Sequence, residues 1–303
     1  MLEGGLIVAR FLHYAAGMAL FGLTLFTLYA YPSRAEVQPA RLESSIAPAI
    51  FKLAIATFMT AILWLAVVIA NMAGSASAII DPDAVRSVLL DTSFGKVWAA
   101  RLLFAALLVG LTGFSYFSPQ RHLPTVLVTV FSGVLLATLA GTGHTMHSEG
   151  MERVLHIAAD GAHLLAAGAW FGGLFALAYV LKVSGPESTV VLHRFSGMGY
   201  VAVAVLIGSG LINSWYLVGS ISNLLSTPYG QLLLVKLAFF GGMLGLAFAN
   251  RFWLVPALTK GGNEAATSNA KLRRNVLAEQ SLGVLVIAIV SVLGMLEPAI
   301  GHS

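Results

Sequence analysis

The chain alternates long apolar runs with short polar connections, and the length of the runs decides what they form. Eight stretches, 5–31, 48–72, 94–116, 123–143, 153–181, 193–218, 230–256 and 274–297, are dominated by apolar residues. A bilayer hydrocarbon core about 30 Å thick is crossed by about 20 residues of helix. The runs therefore predict eight transmembrane helices and an all-α, polytopic membrane fold. Pro32, Pro48, Pro119, Pro124, Pro186, Pro228, Pro256 and Pro298 fall at segment ends, where a missing N–H costs least.

Basic residues orient the bundle. The connections after the odd-numbered helices hold Arg34, Arg41, Lys52, Arg121, Lys182, Arg194, Arg251, Lys260, Lys271, Arg273 and Arg274, whereas those after the even-numbered ones hold Arg86, Lys96 and Arg153. Lys and Arg accumulate on the cytoplasmic side, so the first set is expected inside. An even helix count then leaves both termini outside. The first apolar segment lacks a basic region followed by a short apolar core and a small-residue cleavage site, and reads as a retained helix.

The pattern also repeats. Leu89-Leu90-Asp91-Thr92-Ser93-Phe94-Gly95, leading into Arg101, aligns without gaps on Leu224-Leu225-Ser226-Thr227-Pro228-Tyr229-Gly230, leading into Lys236. His13 with Ala15-Ala16-Gly17 and Gly22 resembles His163 with Ala166-Ala167-Gly168 and Gly172, and Gly141-Thr142-Gly143-His144 corresponds to Gly294-Met295-Leu296-Glu297. The expected organisation is two four-helix halves of the same orientation, 1–146 and 147–303, a parallel repeat related by an axis along the membrane normal.

Composition sharpens the picture. Only 10% of the residues are charged and the mean hydropathy is +0.86, whereas a soluble domain carries about 25% charged residues to solvate its surface. Lipid is the medium. The net charge of +4 is spread between apolar runs, without the clustered basic face that nucleic-acid binding needs. There is no cysteine, which excludes disulfides, thiolate metal sites, iron–sulfur ligation and Cys nucleophiles. A soft-metal site must use His, Met and carboxylates.

Six of the eight histidines lie on the outer side in this topology: His13, His144, His147, His156, His163 and His302. His144-Thr145-Met146-His147 opens a short loop with Glu149 and Met151, after which helix five presents His156, Asp160 and His163. Spacings of four and three residues place these last three on one helical stripe. His156 and His163 are then about 10 Å apart along the axis, too far for one ion, so a shared site needs ligands from other helices. Asp160, one turn above His163, is placed to orient an imidazole through its second nitrogen. Each histidine has a structural alternative, a hydrogen bond to a neighbour or a place among headgroups. His13 and His163 resist it, because both lie well below their helix starts, where polar groups are rare and usually functional.

Imidazole nitrogen and Met sulfur suit copper, and the same cluster would accept zinc or haem iron. Asp160, Arg101, Lys236 and Glu297 are the other ionisable groups in or near the outer half of the membrane. They serve either as structural ion pairs or as lining. As lining, the two acids attract a cation and the two bases repel it, a conflict that pairing each base with an acid would remove. No Walker-type loop appears, and nothing resembles His-Glu-x-x-His or another acid/base constellation, so no enzymatic activity is expected.

From His193 to Glu297 the chain resembles the copper resistance protein D (CopD) family: Arg194-Phe195-Ser196, Gly210 with Asn213-Ser214-Trp215, Thr227-Pro228-Tyr229-Gly230, Leu234-Val235-Lys236, Asn250-Arg251, Pro256 and Glu297-Pro298-Ala299. The likeness extends back through Gly143-His144, Asp160-Gly161-Ala162-His163 and Ala169-Trp170-Phe171-Gly172-Gly173. The resemblance implies a bacterial inner-membrane protein that takes copper, as Cu(I) or Cu(II), from the periplasm, often from a carrier of the CopC type, and moves it inward. The expected metal residues are His13, His144, Met146, His147, His156 and His163. The competing reading is a b-type cytochrome with histidine-ligated haem near the outer face. For the topology, a reporter that works only in the cytoplasm is expected to stay silent when fused after Ser303, and a signal from it would overturn the outside C-terminus.

Overall fold

A computed structural model describes residues 2–30, 40–118, 125–142, 150–183, 188–258 and 262–302, and among them every regular element is helical. In chain order these are α1 (Leu2–Tyr29), α2 (Ala40–Ala73), α3 (Pro82–Asp91), α4 (Ser93–Phe117), α5 (Thr125–Ala137), α6 (Gly150–Val183), α7 (Ser188–Leu217), α8 (Ile221–Ser226), α9 (Pro228–Ala249), α10 (Val255–Leu258) and α11 (Gly262–Leu293). A π-helical turn, Asn250–Leu254, joins α9 to α10 without a break. Seven of these helical stretches are long and apolar enough to cross a membrane. The fold is an all-α polytopic membrane bundle.

The fourth expected span is shorter than the others. Its apolar helix covers Thr125–Ala140, and α geometry gives way to a 3-10 turn over Thr138–Thr142. The Arg101 guanidinium and the Thr138 hydroxyl both donate to the Leu135 carbonyl, at 2.6 and 2.9 Å. The α ladder is thus tapped from the side at the point where it tightens. Two helix starts also differ from expectation. Pro48 lies inside α2, which begins eight residues earlier at Ala40, and α11 begins at Gly262 instead of 274. In both cases the added turns are rich in polar residues, so hydropathy marks the apolar run and not the helix end.

α1 and α6 form the centre. α1 packs along α2 and α6 and touches α5 and α11, while α6 packs along α1 and α7 and touches the same two helices. In α6, 72% of the apolar window is buried, against 11% for the α9 span, which lies at the periphery. The two central helices meet backbone to backbone. A side chain added at Gly22 would strike the Gly168 carbonyl and the Gly172 backbone, and one at Gly172 would strike the Met18 carbonyl. Small residues at such crossings let backbones approach closely.

The Thr-x-x-Gly motif of the two aligned segments folds the same way twice. Thr92 caps α4 by accepting the Gly95 N–H at 2.8 Å, and Thr227 caps α9 by accepting the Gly230 N–H at 3.0 Å. In each case the glycine presses against the short helix before it, α3 or α8. Gly22→Val is expected to destabilise the bundle by about 1–3 kcal/mol through overpacking, read as a lower thermal midpoint in detergent. Gly110→Ala, where nothing lies within 4 Å, is expected to leave the midpoint unchanged. Equal midpoints for both variants would show that the α1–α6 contact carries no such weight.

Candidate metal site between α6 and α7

His13 is buried, 1% exposed, where α1 meets α2 and α4. Its Nδ1 lies 3.0 Å from Thr60 Oγ1, and its Nε2 lies 2.8 Å from an Arg101 guanidinium nitrogen. The Thr60 hydroxyl spends its proton on the Ala56 carbonyl at 2.8 Å, so Nδ1–H donates to Thr60. Nε2 is then the acceptor for Arg101, and the ring has no lone pair left for a metal. Trp64 and Trp98 close the sides, each with its ring centre 5.7 Å from the imidazole, and the guanidinium carbon stands 5.0 Å over Trp98. A void of about 10 Å³ adjoins His13 and Arg101. That is at most the room of one water, so a haem does not fit there.

The second histidine is arranged differently. α6 and α7 run antiparallel and carry three rungs in register. His156 stacks on Tyr216 with ring centres 4.7 Å apart, the Asp160 carboxyl accepts from Asn213 Nδ2 at 3.3 Å, and His163 Nδ1 lies 2.9 Å from Ser209 Oγ. The Ser209 hydroxyl donates to the Val205 carbonyl at 2.5 Å. By the same reasoning Nδ1–H of His163 donates to Ser209, and Nε2 keeps its lone pair. On the neighbouring rung, Asn213 Oδ1 is buried with no hydrogen-bond partner among the described residues. Lys236 of α9 is within electrostatic reach of both Asp160 and His163. The middle and lower rungs thus carry, on successive turns, a carboxylate with an orphaned amide oxygen and an imidazole lone pair. A three-ligand cluster of His, Cys, Asp or Glu side chains is absent among the described residues, so a bound ion would draw on the amide oxygen or on the preceding connection.

Several expected partnerships differ in detail. The group that orients His163 is the Ser209 hydroxyl, while Asp160 is held by Asn213. Arg101 is held by an imidazole, the Leu135 carbonyl and the Thr138 hydroxyl, neutral acceptors in place of the acid that the ion-pair alternative would supply, and its Nε is buried with no hydrogen-bond partner among the described residues. Glu297 is exposed after the end of α11, because the helix ends at Leu293 and releases it. His144, Met146 and His147 lie outside the described residues, as does the side chain of His302.

Thr60, Ser209 and Tyr216 were not singled out from the sequence, and Asn213 entered there only among the residues of the family resemblance, with no part in the site. Small polar side chains scarcely lower the hydropathy of a span; the visible signal was position, since Thr60, Ser209 and Tyr216 each face a histidine already suspected and Asn213 faces Asp160. Glu279 was also missed, although an acid within an apolar run is itself a mark of function. It is 1% exposed and accepts from Asn250 Nδ2 at 2.6 Å.

Comparison with known proteins bears on the whole length. The profile described as "Copper resistance protein D-like, N-terminal domain" matches residues 1–155, and that of "Copper resistance protein D" matches residues 189–293. The chain is 35% identical to the "Copper resistance protein D" of Pseudomonas syringae pv. tomato, with 96% of each chain covered. It is 30% identical to the "Inner membrane protein YebZ" of Escherichia coli K12, over 98% of this chain and 100% of that one. It is 29% identical to the "Copper transport protein CutJ" of Bacillus subtilis 168, over 98% of this chain and 54% of that longer one. With both profiles matched in order and a relative covered almost end to end, the chain belongs to the copper resistance protein D family.

Proposed function

We propose that this is a bacterial inner-membrane protein that takes copper from the periplasmic side and moves it inward, with the α6–α7 ladder as its outer metal site. The observation that carries the reading is the state of His163: its tautomer is fixed by Ser209, which leaves the Nε2 lone pair free, and the neighbouring rung of the same helix pair holds Asp160 and the orphaned Asn213 oxygen. The Lys/Arg bias puts the start of α6 on the periplasmic face. His144, Met146 and His147, in the connection that leads into α6, supply soft and imidazole donors to load the ion. A periplasmic carrier of the CopC type is the expected donor. The relatives named for copper resistance and copper transport support the same cargo.

In this reading the two histidine sites have different tasks. Asp160 offsets the charge of Lys236 beside the ion, which answers the conflict of a cation path lined by bases. His13, tied by Arg101 and Thr60, fastens α1 to α2 and α4 and does not ligate copper. The protein catalyses no reaction; it binds and passes an ion.

Competitive Cu(I) titration of the purified protein against a chelator tests this. His163→Ala and His144→Ala are expected to weaken binding by at least about tenfold and to abolish copper-dependent growth, while His302→Ala behaves as wild type. Ser209→Ala, which frees the imidazole to rotate, is expected to cost about 10–100-fold in affinity, as loss of an orienting partner does. His13→Ala is expected to lower thermal stability and leave copper affinity unchanged. Wild-type affinity in His163→Ala would remove the site from the α6–α7 ladder.

A further inference from the structure

Where α2 packs along α4 in the first half, α7 and α9 stand apart in the second, and a cavity of about 210 Å³ occupies the gap. Its walls are apolar and aromatic, with Trp170 of α6, Phe195 and Tyr200 of α7, and Phe248 of α9 among them. At its floor is Glu279 of α11. The carboxyl accepts from Asn250 Nδ2 at 2.6 Å and from the Trp170 indole, and Asn250 Oδ1 accepts in turn from Asn275 Nδ2 at 2.9 Å. Asn250 opens the π-helical turn. Such turns loosen the i→i−4 ladder and recur at functional sites.

The cavity lies on the inward continuation of the α6–α7 ladder. Trp170 is seven residues after His163 on α6, two turns on the same face and about 10 Å deeper. On α7, Val203 and Gly199 line the cavity, two to three turns inward of the Ser209 that holds His163. An ion released from His163 and travelling along this seam meets Glu279 as the next anionic group. Other charged groups are placed around it as follows. Arg251, from the π turn, lines the same cavity and lies 3.0 Å from His193 Nδ1 and 3.4 Å from the Tyr200 hydroxyl, both of α7. Lys271, Arg273 and Arg274 of α11 and Lys182 of α6 are exposed at the inner end. Arg10 of α1 approaches α11 at Gly294, and Lys236 of α9 stands by His163, both toward the other end.

We propose that Glu279 is a cation-exchange site in the inner half of the membrane, where the carboxyl alternates between a proton and the metal ion. The proposal rests on the inward copper path above. An ionised carboxylate buried in an apolar cavity is costly unless a positive charge accompanies it. On arrival of the ion the carboxyl O–H bond breaks, the proton leaves to water at the cytoplasmic mouth, and the carboxylate neutralises one charge of the ion. Return of a proton from the cytoplasm re-forms the O–H bond and releases the ion. The amide of Asn250 and the indole of Trp170 hold the carboxyl in place through both states.

The test uses the full-length protein in detergent, followed by infrared spectroscopy of the protonated carboxyl stretch and by a pH dye in weak buffer as Cu(I) is added. The wild type is expected to show a carboxyl band that fades as pH rises and as Cu(I) binds, with proton release to the dye. Glu279→Gln, which keeps the shape and the hydrogen-bond acceptor, is expected to lack the band and the proton release while still binding Cu(I) at His163. A band untouched by pH and by Cu(I), or equal proton release in wild type and Glu279→Gln, would make Glu279 a fixed structural acid and overturn the proposal. Absence of any Cu(I) binding by the wild type would sink the copper path itself and the metal half of this proposal; the pH arm would then decide whether Glu279 exchanges a proton at all.

Discussion

Hydrocarbon offers no hydrogen bonds, so every polar group inside the membrane must find its partner in the protein. That constraint organises both histidine sites. Thr60 and Ser209 satisfy themselves by bonding back to the carbonyls one turn earlier, at Ala56 and Val205. Having spent their protons, they present only lone pairs to the imidazoles, and this dictates the tautomer of His13 and of His163. The difference between the sites follows from what approaches the other ring nitrogen. At His13 it is the fork of Arg101, which also reaches Leu135 and Thr138 on the neighbouring helix. At His163 the nearby base is Lys236, on a peripheral helix, with Asp160 to share its charge. An arginine can stitch three helices through its planar donors, whereas a lysine is a point charge on a flexible stem. The first imidazole thereby has both nitrogens engaged, whereas the second keeps one lone pair.

Most of the bundle was legible in the sequence, because apolar run length is set by the same bilayer that selects the fold. Runs 5–31, 94–116 and 153–181 fall on α1, α4 and α6 with ends shifted by a few residues. The ends that moved furthest, at Ala40 and Gly262, belong to helices that outlast the membrane. In water their polar turns leave no hydropathy mark. The π turn at Asn250 was invisible for a related reason, since one extra residue in a helical turn changes no period that a short window detects.

The site was legible only in part. His13, Asp160 and His163 stand out because ionisable groups are expensive in lipid, and that expense is what a reader of sequence can see. The hydroxyls and amides that give them their chemistry are cheap and common in spans. Their role depends on which helices are neighbours, a matter of packing. Glu279 carries the costly kind of mark, but the aromatic and amide residues around it come from three other helices that no local pattern joins.

The backbone contact of Gly22 with Gly168 and Gly172 has a mechanical consequence. Two helices that meet without intervening side chains have no soft layer on which to slide, so α1 and α6 act as a rigid mast. Deformation must then be taken up where the bundle is loosely braced. The α9 span is mostly uncovered by protein, is separated from α7 by the cavity, and contains the π turn as a ready bending point. In that arrangement the exposed face of the α9 span is left to the surrounding lipid, so the surface that braces α9 from outside is a fluid one.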